Sequence, residues 1–408
     1  MTSRSSKRQT SDSTSTTPFP LAWQWLVDEA LPTWVKQHYS PQASWKAKPF
    51  THQDAVFFSK GIHELSEIFT EERGKLPTYF HHPRFRSAYL LYFVPLQAAK
   101  FVSLFHLYSA AMKAALQHGK KTGTLRIYDL GAGPGTGSIA ALIWLIDLAS
   151  KTGDPLPKIE LHWWDTNAST MEDGRGIVDQ LSESFPLLYE KIDLFTHEAP
   201  WWEVNLEKEP SLVIMGHVLN EATIPGKAQN IWQRLLGSLR GGGLLMVEPA
   251  SRASSQSLSR LRDSFIESEL IAESPSAIWG PCLHTGHCPL ADGRDWCHFS
   301  LPVQIPGNWF RTFSKGLGSE RNWVKFSYLW FSAKSNPAPV PQKMQRRVIS
   351  DRLSAGKDGP ADVLICEPEF PARFRVSART AIHRGDLIYL TKDSPITRTS
   401  APIDDSEE

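Results

Sequence analysis

The sequence predicts an α/β fold in which a largely parallel sheet is covered by helices on both faces. From residue 124 onward, short apolar runs alternate with helical patterns, which is typical of βαβ units. A glycine-rich loop follows the first of these predicted strands and opens the next helix. Before residue 124, apolar residues recur at helical spacing. The chain is therefore expected to combine a helical N-terminal segment with a Rossmann-like core.

The elements are predicted from apolar runs and from the turn residues between them. Strands are predicted at residues 125–130, 158–165, 212–217, 244–248, 323–331, 363–366 and 386–390, and helices at 136–148 and 231–239. The apolar region at residues 86–117 is predicted to be two helices that meet at Pro95, because proline fits poorly inside a helix.

Composition changes divide the chain into six predicted parts. They are a disordered tail (1–17), a helical N-terminal segment (18–120), the Rossmann-like core (121–260), a Cys-rich insertion with closing strands (261–335), a small β extension (336–399) and an acidic tail (400–408). The basic, Ser/Thr-rich tail partly fits an organelle transit peptide, but it lacks an amphipathic apolar face.

Length and composition exclude several classes of protein. The chain has 408 residues with 41% hydrophobic residues, enough to bury a large core, so it is not a disordered protein. Four cysteines do not make a disulfide scaffold, and a net charge of +1 argues against a uniformly basic nucleic-acid coat. No membrane span is expected, because Pro95, Gln97 and Lys100 interrupt the most apolar stretch.

The glycine loop is the first candidate binding site. Asp129, Gly131, Gly133 and Gly135 follow an acid-x-Gly-x-Gly-x-Gly pattern. Glycine allows tight turns and close approach of a ligand, and free N–H groups at a helix start bind anionic groups. The loop suits a dinucleotide or S-adenosylmethionine, but the strict dinucleotide fingerprint fails because its sixth position is Thr136. The pattern resembles the first motif of class I S-adenosylmethionine-dependent methyltransferases.

Further candidate residues follow the next strands. Asp165 ends a predicted strand, where a carboxylate can accept hydrogen bonds from ribose hydroxyls or instead cap the next helix. His217, Asn220 and Glu221 follow another strand and are candidates for acid–base groups or for the orientation of a methyl acceptor. The acceptor chemistry stays open, because an Asn-Pro-Pro-aromatic motif is absent and no cysteine nucleophile lies at this place.

The four cysteines, Cys282, Cys288, Cys297 and Cys366, predict a metal site. Three of them lie within sixteen residues among Pro, Gly and His, which is poor material for a core. Disulfides are the less favoured alternative, because the expected compartment is reducing. The spacing lacks the Cys-x2-Cys pair of many zinc sites and suits an iron–sulfur cluster, but spacing does not separate the two. His284, His287 and His298 are zinc-ligand candidates or ordinary loop histidines.

Four segments together carry a family resemblance. They are residues 129–137, residues 217–221, residues 245–250, and Cys288-Pro289-Leu290 with Asp295-Trp296-Cys297-His298-Phe299-Ser300. They resemble the methyltransferase-like protein 17 family, small-ribosomal-subunit assembly factors of mitochondria with bacterial relatives. The resemblance covers about residues 86 to 370.

The resemblance implies a class I methyltransferase fold that binds S-adenosylmethionine. It also implies a [4Fe-4S] cluster, and the four cysteines match the family's cluster ligands in order. The implied partners are small-subunit rRNA and its assembly intermediates. The expected location is the bacterial cytoplasm, with the mitochondrial matrix as the alternative, and the expected state is a monomer.

A basic stretch at residues 311–357 is the candidate RNA contact, since its net charge is 10 − 2 = +8. Basic side chains bind phosphates without reading sequence. Lys343, Arg346 and Arg347 are the favoured contacts, because half of the aromatic residues interleaved here should face a sheet core. Three hypotheses follow: a ribosome-assembly factor with both cofactors, an active rRNA methyltransferase, or a zinc-bearing small-molecule methyltransferase.

Overall fold

The computed structural model describes residues 20–71, 79–206, 208–219, 230–271, 274–302, 308–315, 317, 323–354, 360–368, 371–377, 382–390 and 396–398. The predicted tails at 1–17 and 400–408 lie outside these residues, and so do Asn220 and Glu221. The proposed domain boundaries stay predictions.

The described N-terminal region is helical. Its helices are α1 (Leu21–Trp25), α2 (Leu31–Tyr39), α3 (Ala43–Lys46), α4 (His52–Glu71), α5 (Pro83–Ala88), α6 (Val94–Leu107) and α7 (Ser109–Thr122). A π-helical turn, Leu26–Ala30, joins α1 to α2, and a second one, Tyr89–Phe93, joins α5 to α6.

Each π turn directly precedes a helix whose second residue is proline, Pro32 in α2 and Pro95 in α6. Proline lacks an N–H group, and its ring clashes with the carbonyl four residues earlier in a regular α-helix. The wider turn relieves this conflict, since the N–H of Val94 reaches back five residues to the carbonyl of Tyr89. The prediction of two helices meeting at Pro95 is therefore wrong, and α5, the π turn and α6 form one helix.

This long helix, Pro83–Leu107, is the one described helix long and apolar enough to cross a membrane, and 78% of its most apolar window is buried inside the protein. Such burial is typical of the core helix of a folded protein. Phe101 and Phe105 are at most 2% exposed, and the Phe105 ring meets Trp330 at a centroid distance of 5.9 Å. The helix also carries Lys100 towards the candidate site.

Eight strands form the main sheet of the described chain. The strands are β1 (Thr124–Leu130), β2 (Lys158–Asp165), β3 (Ile192–Glu198), β4 (Leu212–Gly216), β5 (Gly243–Pro249), β6 (Ile278–Gly280), β7 (Phe299–Pro302) and β8 (Trp323–Phe331). The connecting helices are α8 (Thr136–Thr152), α9 (Ala168–Ser184), α10 (Ile231–Ser238), α11 (Arg252–Glu267) and α12 (Asn308–Lys315).

The strand order is β3-β2-β1-β4-β5-β8-β6, with β7 also paired to β8. The first five strands run parallel in the order of a doubly wound sheet, while β8 runs antiparallel to β5, β6 and β7. The predicted strand at 158–165 is confirmed at both ends, and so is the one at 323–331. The carboxyl ends of β1, β2 and β4 meet at one edge, where ligands bind in open α/β sheets.

The sequence predicted helices over both faces of the sheet, but at edge strand β3 this coverage is incomplete. Among the described residues, the connection from β3 to β4 contains only the 3₁₀ turn Trp201–Glu203. Edge strand β3 is accordingly open on one face, and Phe195 is 39% exposed. Its ring stacks on His162 in the neighbouring strand at a centroid distance of 4.9 Å.

A second, antiparallel sheet follows. It contains β9 (Gln345–Val348), β10 (Leu353–Ser354), β11 (Ala361–Cys366), β12 (Ala372–Val376), β13 (Leu387–Tyr389) and β14 (Ile396–Arg398). The order is β13-β9-β11-β12-β14, and β10 pairs with β11. Alternate residues of β11 and β12, such as Val363 and Phe374, form its apolar core.

Candidate functional site

The glycine loop turns sharply between β1 and α8. Gly131, Gly133 and Gly135 have φ angles of 70°, 51° and 68°, a region that side chains rarely adopt. A Cβ atom on Gly135 would lie 2.0 Å from the ring of Trp163. The N–H of Gly131 donates to the carbonyl of Trp164 at 2.8 Å. The loop is thus fixed against β2, and this close packing leaves no room for larger residues at position 135.

Asp129 lies beneath this loop, with 3% of its surface exposed. The N–H of Ser138, in the first turn of α8, donates to its Oδ2 at 2.8 Å. Burial raises the pKa of Asp129 to about 7, and the negative charge of Asp165 adds to the rise. An acid held this way can exchange its proton near neutral pH or keep its charge beside a cationic ligand.

Asp165 holds the loop from the other side. Its Oδ2 accepts from the N–H of Gly133 and its Oδ1 from the N–H of Asn167, both at 2.8 Å. The cap of α9 is Asn167, which accepts from Thr170, so Asp165 does not cap that helix. Burial raises the pKa of Asp165, and these backbone hydrogen bonds oppose the rise. The N–H of Thr166 is a third backbone donor to Asp165, and the carboxylate still has acceptor capacity for one further donor.

These residues line a cleft that opens to solvent. Asp129, Gly131, Gly133 and Asp165 form one wall. His217 and residues of the N-terminal helices form the other. The structure therefore brings together five of the candidate residues that the sequence identified: Asp129, Gly131, Gly133, Asp165 and His217. Gly135 supports the loop from behind, against Trp163.

His217 follows β4 with a φ angle of 62°. The Nζ atom of Lys100, from α6, lies 3.3 Å from its Nε2 atom and donates to Gln97 at 2.8 Å. Burial lowers the pKa of His217, and the positive charge of Lys100 lowers it further, so the ring is neutral at physiological pH. Lys100 was missed as a site residue, although a charged residue inside an apolar helical stretch is a signal for one.

The backbone after His217 is held by Glu248, a fully buried residue of β5. Its Oε1 accepts from the N–H groups of Val218 and Leu219, both at 3.0 Å. The sequence predicts Glu248 only as part of a strand, and this role depends on contacts that the local pattern does not show. Asn220 and Glu221, the other acid–base candidates, lie outside the described residues.

The four cysteines meet where the second sheet packs on the main one. All four are free thiols, so the disulfide alternative is wrong. Cys282 and Cys288 lie in the loop after β6, Cys297 precedes β7, and Cys366 is the last residue of β11.

The four sulfur atoms are close enough to influence one another. Burial raises the pKa of the Cys288 thiol to about 11, with a further rise from Cys282. Burial and the charges of the other three cysteines raise the pKa of Cys297 well above its ordinary value. Cys288, Cys297 and Cys366 also share one packing cluster with Leu290 and Ile349.

Within the described residues, no group of three or more His, Cys, Asp and Glu side chains could hold a metal ion. Of the histidines in this region, His284 lies nearest a cysteine, with Nε2 3.4 Å from the sulfur of Cys366. His287 instead contacts Asp263 at 2.9 Å, and His298 contacts the carbonyl of Trp296. The Nδ1 atom of each of the last two is therefore directed to another partner.

The candidate RNA contacts separate into exposed and buried residues. Lys343 is exposed, and the Arg346 side chain is 30% exposed and paired with Glu367 at 3.2 Å. Arg347 is only 5% exposed and donates to the carbonyls of Pro281 and Gly385. The prediction that Arg347 contacts RNA is therefore wrong, because β-strand alternation turns it inward. Four of the five aromatic residues of β8 are buried, more than the half that alternation predicted, because both faces of this strand are covered.

Together, the doubly wound strand order with its antiparallel β8 and the glycine loop at the carboxyl edge define a methyltransferase-like α/β protein. Residues 175–389, more than half of the chain, match the family described as mitochondrial small ribosomal subunit Rsm22. The chain belongs to this family, which confirms the resemblance found in the sequence. The matched residues include all four cysteines, while the glycine loop precedes them. A comparison with curated proteins found no match.

Solved structures of methyltransferases share low overall similarity with the chain. A protein assigned as an O-methyltransferase from Nostoc punctiforme is 14% identical, over 47% of this chain and 52% of its own, with a TM-score of 0.30. The chain thus spans about half of that relative's length. An O-methyltransferase family protein from Burkholderia thailandensis is 12% identical, over 71% of this chain and 75% of its own, with a TM-score of 0.29. These similarities carry no argument for the fold, which is assigned from the strand order.

Proposed function

We propose that this chain is a methyltransferase-like factor of the small ribosomal subunit that binds S-adenosylmethionine in the glycine-loop cleft. The observation that carries the proposal is the cleft itself, with the buried carboxylate of Asp129 and the partly buried carboxylate of Asp165 beside glycine backbone at positive φ. A carboxylate at the end of β2 suits ribose hydroxyls, and a second one suits a cofactor of net positive charge. The ribosomal partner follows from the name of the family.

Calorimetric titration with S-adenosylmethionine tests the cleft. Asp165→Ala removes the acceptor proposed for the ribose and should weaken binding by about 10- to 100-fold, the usual cost of a lost hydrogen bond to a charged group. Asp154→Ala is the control, since Asp154 is an exposed residue in the turn before β2. Equal affinities of the wild type and Asp165→Ala would contradict the proposed site.

We further propose that the four cysteines hold a [4Fe-4S] cluster, and the residues present fit this group. Four free thiols converge, and the Nε atom of buried Arg262 beside them has no hydrogen-bond partner among the described residues. In a four-iron cluster each cysteine ligates a separate iron, so the site does not need several donors around one ion. Zinc is the less favoured alternative, because one zinc ion needs its four donors gathered around it and the described residues show no such group.

Anaerobic purification with metal and sulfide analysis separates these occupants. About four iron and four sulfide per chain are expected, with a brown absorbance that Cys288→Ser abolishes. If the purified protein holds stoichiometric zinc and no iron, the proposed cluster is contradicted and zinc is the occupant.

We infer that exposed basic residues around Lys343 contact small-subunit rRNA and its assembly intermediates. Lys343 and partly exposed Arg346 remain available for phosphates, whereas Arg347 does not. The family's name favours the mitochondrial matrix over the bacterial cytoplasm. A monomeric state remains a prediction.

A second candidate function is methyl transfer to rRNA, which the polar pair Lys100–His217 favours. S-adenosylmethionine, when bound, supplies an electrophilic methyl group. Neutral His217 lies with Nε2 3.3 Å from the Lys100 ammonium, so this pair can orient a methyl acceptor and take up its proton when Lys100 releases the ring. Radioactive methyl incorporation into small subunits, lost in His217→Ala and retained in Lys46→Ala, would support activity. If the wild-type protein incorporates no methyl groups, this second function is contradicted and only the proposed cofactor binding remains.

A further inference from the structure

We propose that three buried arginines, Arg262, Arg347 and Arg384, are positioning residues that hold the four cysteines and balance the charge of their metal centre. This inference rests on the proposed cluster. The three side chains come from α11, from β9 and from the loop before β13. They are 1%, 5% and 9% exposed, although arginine is rarely buried unless it is paired.

Arg262 fixes the loop between Cys282 and Cys288. Its guanidinium donates to the carbonyl of Gly286 at 2.7 Å and to that of His284 at 2.5 Å. It also pairs with Asp263, and Asp263 accepts the N–H of Cys288 at 3.0 Å. Its Nε atom keeps a donor without a partner among the described residues, on a side chain that is almost fully buried.

Arg347 fixes the outer two cysteines of the set. Its Nε donates to the carbonyl of Pro281, the residue before Cys282, at 3.1 Å. In the second sheet it is the direct cross-strand partner of Cys366, so one residue ties the first cysteine to the last. A further contact of 3.4 Å reaches the hydroxyl of Tyr108, at the end of α6.

Arg384 fixes the third cysteine. It donates to the carbonyl of Trp296, the residue before Cys297, and lies 3.6 Å from the carboxylate of Asp295. Each arginine thus binds backbone beside a different cysteine, although the three are far apart in sequence. Packing alone does not explain this pattern, because an apolar side chain would fill the space without the cost of burying a charge.

The charges indicate what the arginines compensate. Among the described residues that pair with these arginines, Asp263 is the buried carboxylate, while Asp295 and Asp351 near Arg384 are 34% and 74% exposed. The buried groups therefore carry an excess of positive charge. Four thiolates around a [4Fe-4S] core carry net negative charge, which would offset it.

Glutamine and lysine variants separate the charge from the hydrogen bonds. Arg262→Gln and Arg384→Gln remove the charge, and Arg262→Lys and Arg384→Lys keep it without the planar fork. The control is Arg375→Gln, because Arg375 lies in the second sheet but is 51% exposed and paired with Asp362. Each full-length chain is reconstituted anaerobically and assayed for iron and sulfide, loss of the cluster to a chelator and midpoint potential. The melting temperature of the cluster-free protein reports folding.

The glutamine variants should lose the cluster about tenfold faster than the wild type, within the range seen for partners of metal ligands. Their midpoint potentials should shift to more negative values, because positive charge favours the reduced form of the cluster. The lysine variants should lose the cluster faster with a smaller shift in potential, and they replace any glutamine variant that does not fold.

Two outcomes would overturn the inference at different levels. A wild-type chain that takes up no iron and sulfide overturns the proposed cluster and the arginine role with it. A wild-type cluster combined with glutamine variants that match Arg375→Gln in both chelation rate and potential overturns only the arginine role.

Discussion

Both candidate sites of this protein contain charged side chains that are shielded from solvent. In the glycine-loop cleft, Asp129 and Asp165 lie under backbone that has no room for larger residues at position 135. On the opposite wall, burial lowers the pKa of His217 and the positive charge of Lys100 lowers it further, so the ring is neutral. A buried charge costs stability unless its partners or a ligand compensate it. These residues are therefore expected to lower the stability of the ligand-free protein and to be compensated when a ligand binds.

The stability of the protein should depend on pH through Asp129. Below about pH 4 the carboxyl is protonated in both the folded and the unfolded chain. As the pH rises from 3.8 to about 7, the unfolded chain ionises while the folded chain keeps the proton, so the wild type loses stability in this window. Asp129→Asn avoids this loss. Its advantage over the wild type should grow to at most about 4 kcal/mol by pH 8.

Urea denaturation at pH 5 and pH 8 measures this difference, with the exposed Asp154→Asn as the control. Asp129→Asn should also bind S-adenosylmethionine more weakly, since the cofactor carries positive charge. A variant that is no more stable than the wild type at pH 8, or that binds the cofactor equally well, would contradict this role.

Whole elements are expected to depend on the proposed metal site at the four cysteines, and β9 and β11 most directly. Cys366 ends β11 opposite Arg347 in β9, and both residues connect to the loop that carries Cys282. The second sheet has a small apolar core of its own. Its attachment to the main sheet is therefore expected to rely on the metal centre, because metal-binding free energy is also folding free energy.

Removal of the metal should loosen these strands selectively. Amide hydrogen exchange at residues 345–348 and 361–366 should become about tenfold faster or more after chelation, while exchange at β1 and β2 stays unchanged. Cys288→Ser should have the same effect without a chelator. Uniform exchange in the metal-bound and metal-free proteins would show that the second sheet does not depend on the metal.

At the scale of the whole molecule, the N-terminal helices connect the two sites. The helix Pro83–Leu107 brings Lys100 to the cleft, and Tyr108 at its end contacts both Tyr328 in β8 and Arg347 beside the cysteines. Exposed basic residues lie on the second sheet, away from this interior. We therefore propose that the interior of the protein binds the cofactors and that the exposed surface of the second sheet contacts RNA.

Binding to small ribosomal subunits should weaken with salt, and Lys343 and Arg346 should contribute to that dependence. Replacing both with Gln should weaken co-sedimentation and lower the slope of log affinity against log salt by about 1 to 2, because each phosphate contact contributes a slope of about 0.9. Lys46→Gln with Lys48→Gln is the control, since these exposed lysines lie near the N-terminal helices. An unchanged slope in the Lys343 and Arg346 variant would place the RNA contact elsewhere.

The sequence by itself determined the local features: the strands at 158–165 and 323–331, the glycine loop, and the set of cysteines. Each of these depends on neighbouring residues, through alternation, turn geometry or composition. The family resemblance was also visible in short segments. Strand β3 and the π turn before Pro95 were missed, because an exposed edge strand has weak alternation and a π turn has no clear local signature.

Only the tertiary structure decided which charges are buried and what they face. Arg346 and Arg347 are adjacent in a basic stretch, yet the pleat turns one towards solvent and the other towards Pro281 and Cys366. Lys100, Glu248, Arg262 and Arg384 became site residues only when elements distant in sequence packed together. Burial and long-range contact depend on the whole fold, whereas spacing along the chain records only the neighbours of each residue.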